Sequence, residues 1–199
     1  MHQSFGVLLR AILCIQCELP PKKDNNNMNA IELIRSTLFE LYRSFVIEVE
    51  PLTDEEMLYR PSTEANSISF LLWHFPRSGD SAFHRVSTEE GVLSVWTREH
   101  WYQKFGLQES DSGTGFGPSQ VAEFRPDKNL LINYVESVRL SINDGLSRMT
   151  DSDLDKPLHS NNPRITIGRH IQSNIIGHGF FHLGEIRFPK GLQGHQFPR

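Results

Sequence analysis

Residues 167–186 read IGRHIQSNIIGHGFFHLGEI. Ile167, Ile171, Ile175, His178, His182 and Ile186 succeed one another at steps of four, four, three, four and four. That spacing returns to one face of an α-helix and predicts a single amphipathic helix from about Thr166 to Phe188, ended by Pro189. Two imidazoles therefore stand on the apolar stripe rather than on the solvent face. A neutral imidazole taken out of water needs a partner for each ring nitrogen. Two solutions are open: hydrogen bonds to backbone or carboxylates, or a metal ion shared by the pair. The i, i+4 spacing sets the rings side by side and suits divalent zinc, nickel or iron. The stretch is not the H-E-x-x-H of zinc peptidases, because Gly179 stands where the general-base glutamate would be.

Upstream, three further helices are predicted. Ile31, Ile34, Leu38, Leu41, Phe45 and Val49 form one apolar stripe that Pro51 ends. A second helix starts after Ser67, a suitable N-cap, and runs through ISFLLWHF to about Val86. A third carries Leu131, Tyr134, Val135, Val138, Ile142, Leu146 and Met149. Between the second and third lies VLSVWTREHWYQKFGLQESDSGTGFGPSQ, read as a short helix plus a glycine-rich excursion. Its Trp96, Trp101 and Tyr102 are expected to pack over one end of the molecule. No segment alternates with period two for long enough to predict a strand. The expected fold is all-α, a four-helix bundle. LTDEEMLYRP after the first helix and MTDSDLDKP after the third echo each other, as in a duplicated helical hairpin.

The chain of 199 residues is long enough for one domain with its own core. A net charge of −4 gives no basic footprint for nucleic acid. No apolar run approaches the roughly 20 residues that span a bilayer. A cytoplasmic protein that binds neither nucleic acid nor membrane is expected. Residues 1–27 end in the polar linker PPKKDNNN and read as a flexible tail or a misassigned start. Cys14 and Cys17, in CIQC, fall in that segment and have no second C-x-x-C to complete a zinc site. The domain is placed at 28–194, with 195–199 as a C-terminal tail.

If the pair shares a metal, a third ligand should come from another helix. His74 is the best candidate, flanked by Leu71, Leu72 and Phe75 on the inward face of the second helix. Pro76 comes two residues later, where an interior proline removes one backbone bond and kinks a helix. The apolar pattern continues through Ala82, Phe83 and Val86, so a kinked helix is expected rather than a stop. His2, His84, His100, His159, His170 and His195 have no partner at metal spacing.

On these residues the chain resembles the DinB-like superfamily of metal-binding four-helix bundles, also called the YfiT-like metal-dependent hydrolases. The resemblance rests on SISFLLWHFPRSGD (67–80), on VW-x-x-x-x-W-x-x-x-FGL across 95–107, on GFGPSQVAEFR (115–125) and on GHGFFHLGEIRFPKGLQG (177–194). It implies a three-histidine site at His74, His178 and His182 for a divalent ion (zinc, nickel or iron). It also implies an up-up-down-down bundle, a homodimer, and thiol-dependent transfer or isomerisation as activities of some members. The chain departs from the pattern at Pro76, at Ser78–Gly79, and at Gly177 and Gly179 beside His178.

Three histidines leave a divalent ion an open position, at which water or a thiol becomes a nucleophile near neutral pH. Candidate acid–base or orienting carboxylates are Asp80, expected mainly as a solvated group, and Glu185, three residues past His182. The expected function is a metal-dependent enzyme on a small-molecule substrate, a thiol-dependent transferase or a hydrolase. The alternative is a non-catalytic bundle that binds metal or ligand.

Overall fold

The computed structural model describes residues 28–86, 93–159 and 162–196. The expectations for 1–27, CIQC included, fall outside the described residues. Four long helical segments form the frame. Helix α1 is Ala30–Val49, capped by Asn29 and Glu32 in a reciprocal capping box. After the short α2 (Asp54–Leu58) comes α3, Ile68–His84, whose Ser67 cap accepts the Phe70 N–H as expected. The excursion contributes α4 (Val95–Arg98), α5 (Trp101–Lys104) and α6 (Pro118–Glu123). Then come α7 (Lys128–Ser147), α8 (Asp151–Leu154) and a hairpin of β1 (Pro157–His159) with β2 (Asn162–Thr166). The last segment is α9 (Ile167–Ile171), a π-helical turn over Gln172–Gly177, and α10 (His178–Leu192).

The apolar stripes meet in one core. Phe45 of α1 stacks on Phe75 of α3 at 4.4 Å between ring centroids. Tyr134 of α7 packs between Trp96, Trp101 and Phe105 of the excursion. Trp96 is fully buried and Trp101 nearly so, which puts these aromatics in the core itself.

Pairwise contacts give the helix directions. Tyr42 meets Gly79 while Phe45 meets Phe75, so α1 and α3 run antiparallel. Arg35 bonds Asn143 near one end, and Lys128 bonds the Glu50 and Leu52 carbonyls near the other, so α7 also opposes α1. Leu41 lies against Gly179 and Glu48 against Lys190, so α10 runs with α1. The order is up-down-down-up, which corrects the up-up-down-down expectation. The connectors explain it. The short link through α2 only reverses the chain, whereas the long excursion returns it to the end where α3 began.

Three further expectations change. Pro189 does not end the last helix, which continues to Leu192. Lys190, buried beside it, is held by Glu48 at 2.6 Å, and this anchor outweighs the one bond the proline forfeits. The hairpin was not expected, because three- and five-residue strands are too short to show a period. His195 is not loose, since its Nε2 lies 2.7 Å from Glu56 Oε1. The echo between the two connectors is structural: Thr53 with Glu56, and Thr150 with Asp153, each form a capping box. No described helix is long and apolar enough to cross a membrane.

Candidate metal centre

Three imidazoles converge where α3 faces α10. One ring nitrogen from each of His74, His178 and His182 lies within 4.8 Å of the others. His74 and His182 are buried and His178 is half-buried. His178 Nε2 and His182 Nε2 are 2.8 Å apart. The His74 ring stands edge-on to both, with centroids at 5.5 and 5.1 Å.

Local structure aims each ring. His74 sits in the middle of α3, which runs unbroken across the buried Pro76. Its Nδ1 lies 2.7 Å from the Ser112 carbonyl oxygen. A carbonyl only accepts, so Nδ1 carries the hydrogen and Nε2 keeps its lone pair. Phe70 stacks on the same ring at 5.6 Å, nearly parallel. On α10, Glu185 Oε2 lies 2.6 Å from His182 Nδ1, which fixes that hydrogen likewise and turns Nε2 toward the cluster. His178 opens α10 directly after the π-helical turn. Such a turn inserts one residue and rotates the next stretch of helix about its axis, a feature common at functional sites.

Gly179 brings α10 close. A Cβ there would lie 2.5 Å from Leu41 Cδ2 and 2.6 Å from Phe75 Cε2. Close helix approach is therefore what this glycine provides. Gly113, at φ +81°, does the same for the excursion, where a Cβ would fall 2.8 Å from His74 Nδ1.

The donor set fits a divalent ion. Burial and the neighbouring imidazoles push His178 down to about 4. Burial also lowers His74, against the opposing Ser112 bond. Both rings are thus neutral at pH 7, the form that ligates metal. The 2.8 Å contact is also satisfied if one Nε2–H donates to the other ring.

Of the residues singled out in the sequence, His74, His178, His182 and Glu185 come together. Asp80 does not join them. It is buried at 5% exposure instead of solvated, and its oxygens accept the Val95 and Trp96 N–H groups at 3.0 and 2.8 Å. Burial raises its pKa against those two bonds. His170, read as having no partner at metal spacing, is buried, with Nε2 3.1 Å from the Ala82 carbonyl and Nδ1 accepting from Asn174. Sequence reasoning missed Ser112, Gly113 and Ser78, whose Oγ is 3.5 Å from His74 Nε2. The glycine-rich run announced a turn, but nothing in it announced contact with a helix 38 residues away.

The family model described as the DinB superfamily matches residues 39–186. The chain is also similar to a solved structure, that of a conserved protein from Enterococcus faecalis. The two are 22% identical with a TM-score of 0.71, over 85% of this chain and 100% of that one, a likeness that speaks for the fold. No curated protein matches the sequence.

Proposed function

The chain belongs to the DinB superfamily, and from that premise we propose that it is a divalent-metal-dependent enzyme acting on a small molecule. One observation carries the reading: three imidazoles from two helices present ring nitrogens within 4.8 Å of one another, two of them with their other nitrogen already tied down. His74, His178 and His182 would hold the ion. When bound, a divalent cation supplies Lewis acidity at this point and favours the ionised form of a donor such as a thiol.

The chain's own groups do the rest. Glu185 and the Ser112 carbonyl keep two rings oriented and make their free nitrogens better donors. The Glu185 side chain is 36% exposed, so it can also exchange a proton with solvent. Ser78 places a hydroxyl beside His74 Nε2, suited to orient a substrate. The reaction proposed first is thiol-dependent transfer. The domain from residue 28 onward contains no cysteine, so the thiol would come as a second substrate. Hydrolysis is the second reading of the same chemistry.

The test incubates zinc- or nickel-loaded protein with low-molecular-weight thiols and a panel of electrophilic small molecules, monitoring thiol consumption. The expected result is turnover that disappears in His182→Ala and falls at least about tenfold in Glu185→Gln. A bundle that unfolds when the metal is stripped, and turns over nothing when loaded, would show a structural ion instead.

A further inference from the structure

On α3, His74, Arg77 and Asp80 stand three residues apart, and all three hold the excursion between α3 and α7. His74 Nδ1 donates to the Ser112 carbonyl at 2.7 Å, and Arg77 Nε to the Asp111 carbonyl at 3.0 Å. Asp80 grips further upstream, accepting the first two N–H groups of α4, those of Val95 and Trp96. The Trp96 indole then donates Nε1–H to the Glu109 carbonyl at 2.8 Å. Arg77 lies over the face of the same indole, 4.9 Å from its centroid. The carbonyls of Glu109, Asp111 and Ser112 are thus fixed by Trp96, Arg77 and His74, and Asp80 fixes Trp96. The strap ends at Gly113, packed on the His74 ring.

From this chain of contacts we infer that Asp80 is a positioning residue of the histidine cluster: through Trp96 and the 109–113 strap it sets the tautomer of His74. With Ser112 in place, His74 carries its hydrogen on Nδ1 and presents a bare Nε2 to His178 and His182. Without it, the ring exchanges between tautomers and rotates, and the third ligand nitrogen is shared between two positions. An aspartate is required by geometry. Both its oxygens accept from backbone N–H groups, and an asparagine would set an amide donor against one of them. This role rests on the metal-site reading only for its consequence, since the tautomer is a property of the metal-free protein as well.

The experiment uses the full chain. Long-range proton–nitrogen correlation spectra of the metal-free protein at pH 7.5 report the tautomer of each ring. Wild type should show His74 with its hydrogen on Nδ1, and Asp80→Asn should show averaged ring nitrogens at His74 with His182 unchanged. Zinc affinity, read by competition with a chromophoric chelator, should fall about 10- to 100-fold in Asp80→Asn. In a His74→Ala background the same substitution should cost nothing further, because its effect runs through that ring. Trp96→Phe keeps the buried ring and removes only the indole donor, so it should move the same two readouts less far. It also serves if Asp80→Asn fails to fold. A His74 tautomer untouched by a folded Asp80→Asn and by Trp96→Phe would overturn the inference, as would an equal loss of zinc affinity with and without His74. A tautomer change in Asp80→Asn, found alongside wild type that binds no zinc, would uphold the positioning role and sink the metal reading instead.

Discussion

Single residues set how closely the helices meet. Gly179 and Gly184 both lie in α10, where glycine normally costs roughly 1 kcal/mol against alanine. At Gly179 that gain is outweighed, because the new methyl would press on the Phe75 ring and Leu41. Gly179→Ala should destabilise the protein by about 1–3 kcal/mol in urea unfolding. Gly184→Ala has nothing within 4 Å and should stabilise it by about 0.5–1 kcal/mol. Equal effects at the two positions would contradict the packing described. His178 gives a pH signature. Its ring is held near 4 in the folded protein and returns to its ordinary value near 6.5 on unfolding. Between those values the unfolded chain binds the extra proton, so stability rises with pH across this window. Metal-free protein should hold its full stability above about pH 6.5 and lose it progressively toward pH 4. His178→Gln should flatten that slope, which denaturant melts across the range would read.

Among the elements, α1 and α10 are joined by a buried ion pair. Glu48 and Lys190 are each 1% exposed and bonded at 2.6 Å, with Arg187 reaching the second Glu48 oxygen at 2.8 Å. Removing one partner leaves a buried charge alone, which costs about 3–5 kcal/mol. Glu48→Ala should therefore unfold at much lower urea, while Glu48→Leu with Lys190→Met should recover most of the loss. A double variant no better than the single one would argue against this account. The four long segments were legible in the sequence because each carries an apolar stripe at helical spacing and begins at a polar cap such as Ser67 or Thr166. The pair of histidines on α10 was legible for the same reason. The features that stayed hidden have no periodic signature. The π-helical turn adds one residue without breaking the run of isoleucines. The pairing of Glu48 with Lys190 leaves no local trace either, since the partners lie more than 130 positions apart. Asp80 read as solvated because its partners are backbone N–H groups, which any sequence supplies.

Over the whole molecule, the two halves repeat one plan. A long helix, a capping-box turn at Thr53 or Thr150, and a helix carrying candidate ligands occur in the same order. Laid up-down-down-up, the plan brings α3 and α10 together antiparallel, so His74 from one half meets His178 and His182 from the other. The excursion then closes over His74 through Ser112. The helix directions were not legible, because stripes tell which faces meet and not which way each helix runs. The central question is whether these three rings hold an ion together. The deciding measurement is the metal content of untagged protein by elemental mass spectrometry, after loading with zinc or nickel and exhaustive dialysis. Wild type is predicted to retain about one divalent ion per chain, and His74→Ala and His178→Ala to retain almost none while keeping the wild-type helical circular dichroism. Wild type free of metal after loading, or His74→Ala that keeps its ion, would contradict the three-histidine centre.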